Sequence, residues 1–386
     1  MEDPLLFTPG PVNLAPSVLR AMATPIVFHR ADEFHRLYDE IEEKLRKILF
    51  IESSEVYLLT TSGTGSVEAA VANFIRPGEK VLVSIHGVFS ERLAEAIRVY
   101  GGKVIPIVPD ERRGPNINEV EEKLSKGVKV AAFVLNDTCP GILLKNFEKI
   151  AKVIKDQGCM LLVDAVSILG GYEIPVDKWG IDVLVTATQK CLAAPPGVSL
   201  ITVSEEAMRI LERSPPRSYY LDLRKYREFA RKRETPFTPA ITLLYALNEA
   251  LNLILKVGYD RWIKFHEIRA EALYSSLEIL GLKPFVDKEF RSNTVVTIEL
   301  TDEKLNELPK LLRDEFKIYI AGGMGRFKGR IIRIGNMGYL TKRDILTLLA
   351  SFGVLLTELG YSPDICSALK LAFQKLKDLS YSEVML

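Results

Sequence analysis

The chain has 386 residues, of which 47% are hydrophobic and 26% are charged, and its formal net charge at pH 7 is +1. This balance is typical of a globular protein with a large buried core. The near-zero charge argues against nucleic acid or an anionic membrane as the main partner, and no apolar run has the length of a membrane span.

Four scattered cysteines without a CxxC pair, and four histidines, make a metal site or a disulfide framework improbable. The first residues do not have the pattern of a signal peptide. We therefore expect a protein of the reducing cytoplasm, with no metal and no membrane association.

Short apolar runs alternate with amphipathic helical stretches through the first half of the chain. The runs are rich in Val, Ile and Leu and do not alternate with polar residues, which is typical of strands buried on both faces. We predict strands at residues 56–60, 80–85, 104–108, 130–135, 160–164, 183–186 and 199–203. The fold class is therefore α/β, with a mostly parallel seven-stranded sheet sandwiched by helices.

The second half has a different pattern. Two helices are predicted at residues 240–257 and 260–280, separated at Gly258. A strand (293–300), a helix (302–316), two strands (317–321 and 330–334) and a helix (341–359) follow, which indicates a smaller α+β domain. We assign residues 15–260 to a large domain, and residues 1–14 and 261–386 to a small domain with an N-terminal arm. Residues 214–233 mix proline, tyrosine and dense charge, and are expected to form a surface excursion.

A glycine-rich run, TSGTG, follows the first predicted strand and precedes a helix. Glycines allow close backbone approach to a ligand, and the free amides at a helix start favour an anion. The run lacks the Gly-Lys-Ser/Thr of a P-loop and the third glycine of the dinucleotide fingerprint. Taken alone, it fits a tight strand-to-helix turn equally well.

Two charged residues end neighbouring predicted strands. Asp164 closes one strand and is suited to a cationic ring nitrogen, with a helix cap as the alternative. Lys190 follows the next strand, where burial would lower its pKa and make the amine nucleophilic, with a surface lysine as the alternative. A pyridoxal 5'-phosphate (PLP) site needs a lysine, a partner for the ring nitrogen and an anion cradle, and the three features together supply them.

Five runs carry a resemblance to a known family: FTPGPVN, TSGTGSVEAA, LLVDAVSILGG, GIDVLVTATQKCLAAPPGVSL and IIRIGNMG. They resemble the class V aminotransferases of PLP fold-type I, in the serine–pyruvate/alanine–glyoxylate branch. The resemblance covers nearly the whole chain and weakens in residues 214–233 and after Tyr361.

The resemblance implies roles for individual residues. Lys190 would form the Schiff base with PLP and move the α-proton, Asp164 would keep the ring nitrogen protonated, and Arg333 would bind the substrate carboxylate. The other implied cofactor contacts are Ser62, Gly63, Thr64 and Gln189 for the phosphate, Thr138 for the ring hydroxyl and Phe89 for ring stacking. The family also implies a homodimer with shared active sites, in which Thr235 and Thr238 reach the phosphate of the other subunit. Thr235 stands where the family often has tyrosine.

The resulting hypothesis is a PLP-dependent aminotransferase that works on a small amino acid (serine, alanine or aspartate) and a 2-oxo acid (pyruvate or glyoxylate). Which donor and acceptor it prefers stays open. Phosphoserine aminotransferase, a cysteine desulfurase-like enzyme and a catalytically silent binding protein are the alternatives. Gln189 stands where a desulfurase has histidine, and the CLAAPPG run differs from the phosphoserine enzymes. Cys191 is expected to be a small buried hydrophobe and not a nucleophile.

Overall fold

The computed structural model describes residues 3–377 and 379. Its helices and strands up to residue 203 are β1 (Leu5–Leu6), α1 (Pro16–Ala21), α2 (Asp32–Leu49), β2 (Glu55–Leu59), α3 (Gly63–Phe74), β3 (Lys80–Ser84), α4 (Val88–Val99), β4 (Lys103–Ile107), α5 (Ile117–Leu124), β5 (Val130–Val134), β6 (Asn136–Asp137), β7 (Ile142–Leu143), α6 (Phe147–Asp156), β8 (Met160–Asp164), β9 (Val183–Ala187) and β10 (Ser199–Val203). The later elements are α7 (Glu205–Glu212), α8 (Leu223–Ala230), α9 (Ile241–Val257), α10 (Tyr259–Ile279), β11 (Val295–Glu299), α11 (Leu308–Phe316), β12 (Ile318–Tyr319), β13 (Ala321–Gly322), β14 (Ile331–Gly335), α12 (Lys342–Glu358) and α13 (Ile365–Lys375).

A seven-stranded sheet forms the centre of the fold, in the order β2-β10-β9-β8-β5-β3-β4. Only β10 runs antiparallel to its two neighbours, and the other pairs are parallel. Each strand lies within one residue of its predicted bounds at both ends. The predicted fold class is confirmed.

The sheet is buried on both faces. All five residues of β5, of β9 and of β10 are buried, and separate apolar clusters cover the two faces. Strands in that position cannot alternate apolar with polar residues, because neither face meets water. This burial explains the continuous apolar runs in the sequence.

The chain reverses its direction of travel across the sheet at β3. From β3 it moves outward to β4, and then returns to the other side of β3 to form β5. In open α/β sheets such a switch point leaves a crevice at the carboxyl ends of the strands, where ligands bind. The start of α4 after β3 and the loop after β5 meet at this crevice.

The C-terminal part contains a three-stranded antiparallel sheet, in the order β11-β14-β13. The prediction of one strand at 317–321 is wrong, because the segment pairs in two directions. Ile318–Tyr319 pairs with Leu5–Leu6 of the N-terminal arm, whereas Ala321–Gly322 pairs with β14. The segment therefore connects the arm to the three-stranded sheet.

The expectation of a surface excursion at residues 214–233 is wrong for its second half. Residues Leu223–Ala230 form α8, and the side chains of Leu223 and Tyr226 are buried in the apolar cluster on one face of the sheet. These two residues are three positions apart, so they lie on the same side of a helix. The dense charge around them hid this short apolar stripe in the sequence.

Two long helices, α9 and α10, follow each other with an 87° bend between them, and Gly258 caps both at the break. Within residues 3–377 and 379, no single helix is both long and apolar enough to cross a membrane, and only this bent pair passes on length and composition.

Candidate active site

A cavity of about 580 Å³ opens at the carboxyl ends of the central strands. Eight of the residues predicted from the sequence line it together: Ser62, Gly63, Thr64, Phe89, Thr138, Asp164, Gln189 and Lys190. They come from the end of β8 and from the segments that follow β2, β3, β5 and β9. The sheet therefore gathers into one site residues that span almost 130 positions of the chain.

Lys190 lies three residues beyond the end of β9. Burial lowers the pKa of its amine to about 8, and the nearby Arg333 guanidinium acts in the same direction. A buried ammonium loses its hydration, so the neutral amine is favoured and becomes available as a nucleophile at lower pH. Burial by the fold is therefore the physical reason for the nucleophilic character that the sequence predicts for this lysine.

The N-terminal arm covers Lys190, a contact that the sequence did not reveal. The Lys190 amine donates a hydrogen bond to the carbonyl oxygen of Pro9. Gly10 has a φ of +98°, and a Cβ atom at this position would lie 2.7 Å from Nζ of Lys190. Glycine is therefore required here both by the backbone conformation and by the close approach of the lysine.

Asp164 ends β8 beside this lysine. Burial raises the pKa of its carboxyl group to about 6, and the nearby Asp137 adds to the increase. Its Oδ1 accepts a hydrogen bond from the Val166 amide at 2.9 Å, so it also shapes the turn after the strand. The charged form of a carboxylate buried in this way is stabilised most by a partner that donates a proton in a hydrogen bond or carries a positive charge.

The glycine-rich run forms the beginning of α3. Ser62 is the N-cap of this helix, and its hydroxyl accepts a hydrogen bond of 3.4 Å from the Gly65 amide. Ser62, Gly63 and Thr64 all line the cavity. The amides of a helix's first turn have no partner inside the helix and attract an anion, so this turn is suited to a phosphate group.

Three polar atoms in the cavity wall are buried without a hydrogen-bond partner among the described residues, namely Asn136 Oδ1, Thr138 Oγ1 and Gln189 Oε1. Leaving a buried polar atom unpaired costs about 1–3 kcal/mol. A bound group that offers polar partners at these positions would remove this cost. Thr138 could pair with a ring hydroxyl, and the Gln189 side chain could donate to a phosphate through Nε2. The residues present therefore fit a phosphorylated, hydroxylated ring such as that of PLP.

Arg333 lies on β14, outside the cavity wall but close enough for its charge to lower the pKa of Lys190. Its side chain is almost completely buried, and its Nε donates a hydrogen bond of 2.8 Å to the carbonyl oxygen of Gly322. Burial lowers the pKa of the guanidinium, although arginine keeps its charge.

Thr235 and Thr238 do not line the cavity of their own chain. The Thr235 side chain is buried and donates to the carbonyl oxygen of Phe237, while its own carbonyl accepts from Arg30. Thr238 is exposed. Neither residue lies at the cavity that contains Lys190.

Other residues of the site were missed by sequence reasoning. Asn136 and Ser167 line the cavity, and the Asn136 amide donates to the Ser167 hydroxyl at 2.8 Å. Polar residues that directly follow buried strands are the signal that could have found them. Cys191 is buried, as expected, and burial raises the pKa of its thiol to about 12, which keeps the sulfur protonated.

Comparison with known proteins identifies the family. The family model for class-V aminotransferases matches residues 17–346, and the chain therefore belongs to this family. It is 38% identical to an uncharacterised aminotransferase of Methanocaldococcus jannaschii, over 92% of this chain and 94% of that protein. The predicted enzyme class, an aminotransferase, is confirmed.

Two solved structures have the same fold over nearly their whole length. The ureidoglycine–glyoxylate aminotransferase of Bacillus subtilis has a TM-score of 0.93 and 29% identity, with 98% of this chain and 99% of that chain covered. An alanine–glyoxylate aminotransferase from Nostoc sp. has a TM-score of 0.88 and 32% identity, with 92% and 96% covered.

The lowered pKa of Lys190 leads to a prediction about pH. Raising the pH removes the ammonium proton, so the reaction of the ligand-free chain with an aldehyde should accelerate with a midpoint near pH 8 and not near the ordinary lysine value of 10.5. Stopped-flow absorbance measurements across the neutral and alkaline range would check this. The absorbance change with the midpoint near pH 8 should be absent in Lys190→Ala. A midpoint at the ordinary value would mean that burial does not perturb this amine.

Proposed function

We propose that the chain binds pyridoxal 5'-phosphate through Lys190 and moves an amino group between a small amino acid and a 2-oxo acid. The observation that carries the proposal is one cavity that holds a buried amine of lowered pKa, a buried carboxylate and a helix N-terminus. We infer serine, alanine or aspartate as the donor and pyruvate or glyoxylate as the acceptor. Glyoxylate appears in the names of both solved relatives described above, which supports this range.

When bound, PLP supplies an electron sink for the charge left on the amino acid when its α-proton is removed. The chain's part is to hold and move protons and to orient the substrate. Asp164 would keep a proton on the ring nitrogen, because its buried carboxylate is stabilised by a positive partner. The amine of Lys190, once released, would take the α-proton, since a pKa near 8 leaves part of it neutral at physiological pH.

The first turn of α3 and the side chain of Gln189 would hold the phosphate, and Thr138 would bind the ring hydroxyl. Phe89 would cover one face of the ring from the start of α4. Arg333 would bind the α-carboxylate of the substrate, since a planar guanidinium offers two parallel hydrogen bonds to a carboxylate. Its bond to Gly322 leaves the terminal nitrogens for this contact.

We also propose a homodimer in which Thr238 reaches the phosphate of the partner subunit. Thr235 would do so only by exchanging the hydrogen bond that its buried hydroxyl donates to the Phe237 carbonyl. The exposure of Thr238 supports this arrangement. Leu19, Ile26 and Phe28 are 53%, 68% and 66% exposed and lie within ten positions of one another in the sequence. Exposed apolar residues grouped in this way are typical of a surface that another protein covers.

We propose that residues 1–14 belong with residues 261–386 as the small domain and that residues 15–260 form the large one. The pairing of Leu5–Leu6 with Ile318–Tyr319 supports the place of the arm, as does the hydrogen bond of 2.6 Å from the Gly335 amide to the carbonyl oxygen of Phe7. A cytoplasmic location is a further proposal, supported by four free cysteines.

The substrate role of Arg333 can be tested with a conservative change. In Arg333→Lys the paired hydrogen bonds to the carboxylate are lost, at about 1.5–3 kcal/mol, so kcat/KM for alanine with glyoxylate should fall about ten- to a hundredfold. Ethylamine lacks the carboxylate and should be a poor substrate for both proteins. The measurement is the ratio of kcat/KM for the two amines, with pyruvate or acetaldehyde as the product that is assayed.

Arg326→Lys is the matched control, because Arg326 is partly exposed and bound to Glu91. It should leave the alanine-to-ethylamine ratio within about twofold of that of the parent. An unchanged ratio in Arg333→Lys would show that another group binds the carboxylate. No amino transfer from any of the three donors in the parent would contradict the proposed function itself.

The shared site can be tested by mixing two inactive variants. Lys190→Ala removes the amine, and Thr238→Glu places a negative charge where the partner's phosphate would lie. Each variant alone should be inactive, but half of the dimers formed on co-expression should be mixed and have one intact site. Activity should then recover to about a quarter of the parent value. No recovery, or a monomer by light scattering, would contradict the shared site.

A further inference from the structure

Asp137 is a buried carboxylate to which the proposed chemistry assigns no role. It ends the short strand β6 that follows β5, directly before Thr138, and its side chain is fully buried. Its Oδ2 accepts hydrogen bonds from the amide and the hydroxyl of Ser90, at 2.8 and 3.0 Å, and its Oδ1 accepts from the Cys139 amide at 3.2 Å. Burying a carboxylate costs free energy, because the group loses its hydration, and well-placed hydrogen-bond donors offset that cost.

The contacts with Ser90 make Asp137 the cap of α4. The N-cap position of this helix is Gly87, which has no side chain to offer. A Cβ atom at Gly87 would lie 2.3 Å from Cγ of Asp137, so only glycine allows the carboxylate to approach the helix start. A carboxylate at this end also stabilises the helix dipole.

A second bond strengthens the same junction. The amide of Val88, the first residue of α4, donates to the carbonyl oxygen of Cys139 at 2.8 Å. The first turn of α4 is thus bound to both sides of Thr138, through Asp137 before it and Cys139 after it. Across the junction, Phe89 and Thr138 both line the cavity.

We propose that Asp137 is a positioning residue that fixes Phe89 relative to Thr138, so that the side chain proposed to cover the cofactor ring and the one proposed to bind its hydroxyl are held as one rigid unit. The inference rests on the proposed function, because it assumes that the two side chains grip the same ring. Phe89 and Thr138 are almost 50 residues apart in the sequence, so their relative position depends on contacts such as these.

The hydrogen-bond donors around Asp137 support this role. Burial raises the pKa of its carboxyl group, and the amides of Ser90, Cys139 and Phe89 oppose that increase. These donors all belong to the junction, so the contacts that bind the helix to the segment around Thr138 are the ones that favour the charged form against burial. Asp137 also contributes to the raised pKa of Asp164, which places the two carboxylates within electrostatic range of each other.

The test is Asp137→Asn, studied first without cofactor. Hydrogen–deuterium exchange of the amides of residues 88–90 should accelerate about tenfold or more, because the charged acceptor of the Ser90 amide is lost. The dissociation constant of PLP, followed by its visible absorption band, should rise about tenfold. Phe89→Leu alone should also weaken PLP binding. The double variant with Asp137→Asn should lose less binding free energy than the sum of the losses in the two single variants.

Asp182→Asn is the matched control. Asp182 is also a buried carboxylate with three donors, the Leu161 amide, Lys155 and the Ser204 hydroxyl, but it lies at the opposite end of the sheet. Its loss should lower the melting temperature while the exchange of residues 88–90 and the affinity for PLP stay within about twofold of the parent.

If Asp137→Asn does not fold, Ser90→Ala removes one of the donors and should change exchange and affinity in the same direction by smaller factors. Unchanged exchange and affinity in a folded Asp137→Asn variant would overturn the inference. An equal loss of affinity in Asp182→Asn would also overturn it, because the effect would then reflect general stability. A parent protein that does not bind PLP would instead contradict the proposed function, and the exchange experiment would still test the cap.

Discussion

Burial of the Lys190 amine beyond the end of β9 is the constraint on which the rest of the site depends. A lysine in this position loses its hydration, which lowers the pKa of the amine to about 8. The surroundings compensate in part, because the carbonyl of Pro9 accepts its hydrogen bond and the buried carboxyl of Asp164 is close enough to favour the charged form. The amine is therefore held in place and is near the point at which it releases its proton.

The N-terminal arm links this amine to the place of the proposed carboxylate-binding arginine. Pro9 and Gly10 cover Lys190, while the carbonyl of Phe7 accepts a hydrogen bond from the amide of Gly335, two residues beyond Arg333. One short segment thus contacts both the lysine and the end of β14. The spacing between a substrate's α-carbon and its carboxylate is small and fixed, so a transaminase needs these two groups in a defined relation.

The central sheet and the positions of Lys190 and Asp164 could be predicted from the sequence, because the signals for them are local. Continuous Val, Ile and Leu runs predict the seven central strands, and a lysine and an aspartate directly after such runs lie at the ligand-binding edge by topology alone. The family resemblance then supplied the proposed roles of Gln189, Thr138 and Arg333, which no periodicity reveals.

The features that were missed depend on contacts between distant segments. Neither the carbonyl of Pro9 above Lys190 nor the capping of α4 by Asp137 leaves a local pattern, since the partners are 181 and 47 positions apart. The helix α8 was missed for a different reason, because only two apolar residues mark its buried side. Division of one predicted strand into β12 and β13 depends on the arm, which pairs with the first of them.

The central claim is that Lys190 is the residue that holds the cofactor, and chemical trapping tests it most directly. Protein loaded with PLP is reduced with borohydride, which makes the lysine–cofactor bond permanent, and the labelled peptide is identified by mass spectrometry. A single labelled peptide, the one that contains Lys190, is expected in the parent, and no labelled peptide is expected in Lys190→Ala. A label on another lysine, or an equal label in the variant, would contradict it.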